Sequence, residues 1–497
     1  MILAGRTGSG KTAIIRYLQH SAEHSVAIDP FDMALSYVSN SDILSFLHSI
    51  GADLDLLFQV LWKHVLCIEF IRLRFQVHDE IQSKKIFATF FERFSPDQRR
   101  RKSLQYLRDW ESKFWITMDQ NIKEITDKYV GKLKTELGAD LPAIKAGGQA
   151  EGEISSDRKS EIISRTKNII NPEQLAELAG VIDILAEDLA SDDRMLKYFV
   201  VLDKLDERWV DDSIRFRLVR ALIESLRAFR RIQNLKILVA LRSDILERVI
   251  QETADLGFQR EKYEDYFIRL KWKKAELKEL VQKRIRLLFK RRYTTDDISF
   301  EDLFTKKIGG QEPFDYLIER TLMRPRDIIS FINLCIGRAD GNYEVTPRFV
   351  TEAEREYSRI RREAIENEWQ SAFPSISKLF RFLTARTTTF TVGELLEDPK
   401  LDELAFEIGS DPKMERDPLF IYACDAFGNK NANSNRIFLE HLLAVLYRVG
   451  SIGIKLRPDE RFIYSHNDQP IVSPEILVAD VRVRVHPMLH QTLNVRR

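Results

Sequence analysis

The chain has 497 residues, of which 44% are hydrophobic and 31% charged, with a formal net charge of +1. That length serves about three domains of ordinary size, and the near-zero charge balance excludes the global basic field that draws proteins to nucleic acid. No apolar run approaches the roughly 18 residues that span a bilayer. Three distant cysteines, Cys67, Cys335 and Cys424, exclude a disulfide scaffold or CxxC zinc site and point to inert thiols in a reducing cytoplasm.

The chain opens on its strongest signal. Met1–Ala4 is apolar, as the end of a buried strand should be, and Gly5-Arg6-Thr7-Gly8-Ser9-Gly10-Lys11-Thr12 fits the G-x-x-x-x-G-K-[S/T] phosphate loop. Ala13-Ile14-Ile15 continues into a helix with an apolar face. Glycines let successive N–H groups curl inward onto phosphate oxygens, and the helix that follows adds the positive end of its dipole. Lys11 would reach the β- and γ-phosphates, and the Thr12 hydroxyl would ligate Mg²⁺. A phosphate loop at this position is not a signal peptide. Only four residues precede Gly5, so the first strand is expected to be short or to lack upstream residues.

Ser25–Asp29 reads as a second strand, stopped by Pro30 and expected beside the first. Asp29 and Asp32 read as turn and cap residues. From about 41 to 195 helical periodicity replaces alternation. A long apolar stretch runs from Asp42 to Gln76, a helix start stands at Ser95-Pro96-Asp97, and Ile122–Leu137 repeats at three and four spacing. A polar glycine-containing linker covers 146–153, and helices follow from about Asp157 to Ala190. The basic runs Arg99–Lys102 and Lys290–Arg292 read as solvated helix faces before they read as nucleic-acid contacts.

Lys197–Leu202 is apolar at almost every position and reads as a buried strand that delivers Asp203 to its carboxyl end. Asp203 would hold Mg²⁺, and Glu207 or Asp206 would orient the attacking water. Ser213–Arg230 follows as an amphipathic helix. Leu235–Leu241 is the next buried strand and ends at Arg242, a candidate γ-phosphate sensor whose alternative is a pair with Asp244. Tyr266–Trp272 alternates as a fifth strand, and a helix opens at Ala275 and runs to about Leu288. Arg324-Pro325-Arg326 begins a further helix with proline in its first turn. Arg326 there would reach a nucleotide phosphate or be a surface arginine.

Beyond Pro374, Ile376–Leu383 and Phe438–Tyr447 look helical, with poor order expected over 385–435. Residues 451–456 and 461–465 alternate around Arg457-Pro458-Asp459-Glu460 as a hairpin. Val481–Val485 is one more strand or a lead into a final helix. His486 reads as structural. Helices followed by a hairpin suggest a winged helix.

GRTGSGKT at 5–12, VVLDKLDERW at 200–209 and LVALRSDIL at 238–246 together resemble the bacterial P-loop ATPases of the STAND and KAP-like group, relatives of AAA+ ATPases. VVLDKLDE is similar to the hhhDGLDE form of their Walker B motif, with Lys204 at the variable place. RPRDIISFIN at 324–333 resembles the start of their lid sensor helix. The resemblance implies ATP over GTP, hydrolysis with Mg²⁺, an oligomeric switch or motor, and a possible partner effector in defence or signalling.

The expected fold is α/β: a five-stranded parallel P-loop sheet at 1–40 and 196–272, a helical insertion at 41–195, a helical lid at 273–370 and a winged-helix-like domain at 371–497. The core site would comprise Gly5 to Ala13 as cradle, Lys11, Thr12 and Asp203 with Mg²⁺, Glu207 or Asp206 as base, and Arg242 and Arg326 as sensors that couple γ-phosphate loss to lid movement. Expected partners are further copies of the chain, with nucleic acid carried only by the basic runs and the suspected winged helix. A binding module with negligible turnover and a small-molecule kinase are the rival readings.

Overall fold

In the computed structural model the described residues are 1–31, 52–77, 98–111, 113–114, 120, 172–190, 196–207, 209–210, 212–253, 260–292, 298–304, 306–429, 432–468 and 471–496. Asp32, Ser95-Pro96-Asp97, Ile122–Leu137 and the expected 146–153 linker lie outside them. The chain divides into two compact units, one of Met1–Ala4 with Lys11–Arg269 and one of Gly5–Gly10 with Leu270–Arg497.

The first unit is built on β1 (Ile2–Gly5), α1 (Lys11–Ser21) and β2 (His24–Ile28), followed by α2 (Asp55–Phe75), α3 (Gln98–Trp110) and α4 (Pro172–Ala190). Then come β3 (Tyr198–Leu202), α5 (Asp212–Phe229), β4 (Leu235–Arg242), α6 (Ser243–Glu252), a 3₁₀ turn at Arg260–Tyr266, and β5 (Phe267–Arg269). The five strands form one sheet in the order β2-β3-β4-β1-β5. The pairs β1–β5, β2–β3 and β3–β4 are all parallel. Five strands are where the sequence puts them, with one correction of place. The second strand does not lie beside the first: β2 is at the sheet edge against β3, and β3 and β4 stand between it and β1. The fifth strand is also shorter than Tyr266–Trp272, because a 3₁₀ turn runs to Tyr266 and regular pairing ends at Arg269.

Parallel strands covered on both faces should be apolar throughout, and Val200, Val201 and Leu202 of β3 are all buried. The helices from the middle of the sequence share this core. The helix α2 buries residues on nearly every side, including Phe58, Trp62, Phe70 and Ile71, as expected of a helix apolar all round. Trp62 donates its indole N–H to the Leu218 carbonyl of α5 at 2.8 Å, so the one polar atom of this buried ring is satisfied.

The second unit continues with α7 (Lys274–Arg292), α8 (Phe300–Leu303), α9 (Pro313–Ile318), α10 (Pro325–Arg338), α11 (Pro347–Trp369) and α12 (Ile376–Phe382). After β6 (Thr389–Thr391) follow α13 (Val392–Leu396), α14 (Lys400–Gly409), α15 (Phe420–Asn429), α16 (Ala432–Val449), β7 (Ile452–Lys455) and β8 (Arg482–Val485). One apolar core runs from Leu277 to Leu493. The expectation of poor order over 385–435 is overturned, since this stretch holds β6, α13, α14 and α15. A capping box starts α13: the Thr391 hydroxyl accepts from Glu394 N at 3.2 Å, and the Glu394 carboxylate accepts from Thr391 N at 3.3 Å. The three short strands make an antiparallel sheet in the order β6-β8-β7. The expected 451–465 hairpin reduces to one bridge, Ile454 with Ile463. The Val481–Val485 alternation is a strand, followed by a 3₁₀ turn at Pro487–Leu489.

Candidate functional site

Gly5–Gly10 belongs to the second unit, and its shape is set there. Gly8 and Gly10 have φ of 81° and 101°, values that favour glycine. A Cβ on Gly8 would also meet Arg326 Cβ at 2.6 Å, so the α10 start packs directly on the loop. Arg326 N donates to Gly8 O at 3.4 Å. The Arg326 side chain is exposed.

The loop is tied down by charge. Arg324 precedes Pro325, and the clash with the proline ring drives it to an extended backbone, φ −120° and ψ 143°. From there its guanidinium donates to Thr7 O at 2.8 Å, Glu368 at 3.2 Å and Asp327 at 2.9 Å. Glu368 also accepts from Thr7 N at 3.3 Å and pairs with Arg6 at 3.6 Å. Arg6 donates to the Val449 carbonyl at 2.8 Å and lies over the Trp369 ring. Arg361 completes the network on Asp327 at 2.6 Å.

Burial alone would raise the Asp327 carboxyl, but the Arg324 and Arg361 guanidiniums outweigh it and hold it below the usual carboxylate range. Burial lowers the Arg6 guanidinium, and Glu368 only partly opposes this. Trp272 donates its indole N–H to Ser9 O at 2.8 Å. Among the described residues the Thr7 and Ser9 hydroxyls are buried with no hydrogen-bond partner.

The first unit carries the remaining candidates. Lys11 and Thr12 open α1 from the carboxyl end of β1, with Lys11 half-buried and Thr12 exposed. Asp203 follows the carboxyl end of β3 and is half-buried. Ile28 pairs with Leu202, so Asp29 and Asp203 leave the same sheet edge side by side. Asp29 caps the turn by accepting from Phe31 N at 2.9 Å. It also takes the Lys204 ammonium at 3.2 Å. The Phe31 contact is the larger cause that lowers the Asp29 carboxyl, with Lys204 adding to it. Lys204 has φ 63°, a left-handed backbone that explains why the motif it resembles accepts glycine there.

Asp206 and Glu207 differ sharply. Asp206 accepts from Arg242 at 3.1 Å. The exposed Glu207 carboxylate makes no hydrogen bond among the described residues. Arg242 also grips the buried Asp244 with two bonds, of 2.9 and 2.8 Å. Burial would lower the Arg242 guanidinium, but Asp244 and then Asp206 more than offset that and raise it. The pair with Asp244 that the sequence offered as an alternative is therefore present.

These residues fit a bound nucleotide with Mg²⁺. Two glycines at positive φ and two buried hydroxyls without a hydrogen-bond partner among the described residues suit a phosphate chain. The Thr12 hydroxyl and Asp203 carboxylate are hard oxygen donors of the type Mg²⁺ takes in ones and twos beside phosphates and water. Among the described residues no three His, Cys, Asp or Glu side chains cluster as a metal site. Sequence reasoning missed Arg324, Glu368, Asp327 and Trp272. Only Arg324 had a signal, as the residue before a helix-starting proline.

Residues 275–366 match the FunZ-associated C-terminal helical domain. The chain is similar to the putative transposon gamma-delta 80.3 kDa protein of Escherichia coli (strain K12), with 25% identity over 307 residues. That match covers 61% of this chain and 40% of the relative, so the chain spans well under half of that protein's length. It is also similar to allergen Alt a 2 of Alternaria alternata, at 30% identity over 139 residues, covering 27% of this chain and 73% of the allergen.

Proposed function

This chain belongs to the family of allergen Alt a 2, and from its own residues we propose that it binds ATP with Mg²⁺ and hydrolyses it. The observation that carries this reading is the strand–loop–helix at Gly5–Thr12, with Gly8 and Gly10 at positive φ and the Thr7 and Ser9 hydroxyls buried without a hydrogen-bond partner among the described residues. Loop amides would hold the phosphates, Lys11 would neutralise the β- and γ-phosphates, and Thr12 and Asp203 would hold the ion. Bound Mg²⁺ supplies charge neutralisation at the phosphoryl oxygens. Glu207 would orient water and take its proton, because Asp206 is already committed to Arg242. Arg242 and Arg326 would sense the γ-phosphate.

Lys11→Ala should abolish binding of a fluorescent ATP analogue in an anisotropy titration. Unchanged affinity would sink the reading. A second reading, nucleotide as a regulatory ligand with negligible turnover, draws on Glu368, whose carboxylate already accepts the Thr7 amide proton that a phosphate would take. Phosphate release by the purified chain separates the two. The resemblance to STAND and KAP-like ATPases extends the proposal to an oligomeric switch, which size-exclusion chromatography with and without an ATP analogue would test. A winged-helix role for the β6–β8 region, with contact to nucleic acid, belongs to the same proposal.

A further inference from the structure

The first unit holds a cleft of about 840 Å³ between α2, α5 and the Arg260–Tyr266 turn, lined by five cationic side chains and one carboxylate. Its walls are fixed. Trp62 bonds Leu218 O, and Ser225 Oγ donates to Gln59 O at 3.2 Å, so α2 and α5 are locked together. The one carboxylate, Glu224, is consumed internally. It accepts from Gln59 at 2.7 Å and from Arg220 at 2.9 Å.

Arg220 also meets Asp55, and Arg231 pairs with Asp183. Lys63, Arg227 and Arg230 make no ion pair with any described carboxylate. The ordinary reading of arginines at the end of α5 is that they complement the helix dipole. That reading does not account for Lys63. It comes from the middle of a different helix, is half-buried, and lines the same cleft as the exposed Arg227 and Arg230. Partial burial disfavours the charged form of Lys63, and an anion placed against it would recover that energy. Tyr263 adds a half-buried aromatic ring to the same wall.

We propose that this cleft binds a ligand that presents a row of phosphate groups, with Lys63, Arg227 and Arg230 as its contacts. Its volume lies within the roughly 300–1,000 Å³ usual for small-ligand sites. A single nucleic-acid strand and a small linear oligophosphate both present this chemistry, and the tyrosine offers a face for a base in the first case. The site is separate from Gly5–Thr12 and does not depend on the nucleotide reading.

The test uses the full chain carrying Lys11→Ala, so that the loop does not contribute. The probes are a fluorescein-labelled single-stranded DNA of about 12 nucleotides, read by anisotropy, and tripolyphosphate, read by calorimetry. Saturable binding of either supports the site, and which of the two binds identifies the source. Arg227→Glu with Arg230→Glu should weaken that binding at least about tenfold and flatten its log–log salt dependence by roughly one to two. Arg101→Glu with Lys102→Glu, an equal charge change on exposed residues of α3, should leave it unchanged. Lys63→Gln, a milder single change, should weaken it about threefold or more and decides the matter if the double reversal does not fold. Absence of saturable binding by both probes, wild-type affinity in the cleft variants, or equal loss in the α3 control would overturn the proposal.

Discussion

Around Gly5–Gly10, Arg324, Asp327, Arg361 and Glu368 are buried in one network that also takes in Arg6. At the carboxyl edge of the five-stranded sheet the charges stand differently. Asp203 is half-buried, Glu207 is exposed, and only Asp206 and Asp244 are drawn into contact with Arg242. A buried ion network costs desolvation and yields little net stability, but it fixes geometry. Its members have no capacity left to move a proton. The open carboxylates hold little in place beyond the Lys204 N–H that Asp203 accepts at 2.9 Å, yet they can exchange protons with water. The loop's second-unit surroundings thus fix a shape, while the sheet edge keeps carboxylates in reach of water.

Two substitutions of similar chemical size should break this comparison most severely. Glu207→Gln should retain ATP affinity and lose about 10²–10⁴-fold in kcat, whereas Asp206→Asn, whose side chain bonds Arg242, should lose about tenfold or less. Normal turnover in Glu207→Gln, measured by phosphate release, would move the base to Asp206. Asp327→Ala leaves Arg324 and Arg361 buried without their shared carboxylate and should cost about 3–5 kcal/mol in urea denaturation. A loss below about 1 kcal/mol would mean that the network relaxes or admits water.

The same contrast separates what the sequence displays from what it hides. Gly5–Thr12 and Lys197–Asp203 are legible because a loop motif and an apolar run are local patterns. The edge position of β2 is not, because parallel crossovers leave strand order to the packing of helices distant in sequence. Thr391-x-x-Glu394 was a visible helix start inside a stretch expected to be poorly ordered, and it was missed because the helix that follows is short. Arg326 attracted notice over Arg324 because it lies inside the helix. Extended geometry before proline instead turns Arg324 onto the loop. Glu368, some 360 residues from Thr7, has no local signature. In the cleft, Arg220, Glu224, Arg227 and Arg231 recur at the spacing of one helical face, a pattern open to reading from the start.

Acid should sharpen the comparison with smaller effects. In the second unit burial, aided by Arg6 and Arg324, lowers His466 to about 3. In the first unit burial, aided by Arg72, lowers His64 to about 3. The unfolded imidazole titrates near 6.5. Between these values the unfolded chain binds the extra proton, so stability falls as pH drops below about 6.5 and goes on falling toward about 3. Each histidine contributes roughly 1.4 kcal/mol per pH unit in that window, or about 2 kcal/mol between pH 6.5 and 5. Urea denaturation across this range should show a shallower slope for His466→Gln and for His64→Gln. An unchanged slope in either would mean that its imidazole is already open to protonation in the folded chain.

The smallest effects concern how helices end in the two units. In the second unit α16 ends at Gly450 with φ 85°, where a Cβ would lie 2.7 Å from Arg6 Nη1 and 3.0 Å from Leu322 Cδ2. Gly450→Ala therefore combines backbone strain with a clash against the loop network and should cost about 1–3 kcal/mol. In the first unit α2 ends at Gln76 with φ 55°, and its N–H caps Arg72 O. Gln76 is exposed, so nothing is lost when its side chain is removed. Gln76→Gly should relieve the left-handed strain at little entropic cost and raise stability by roughly 0.5–1 kcal/mol. Thermal denaturation of the two variants should move in opposite directions. A fall in both would show that the Gln76 side chain makes contacts that offset its strained backbone.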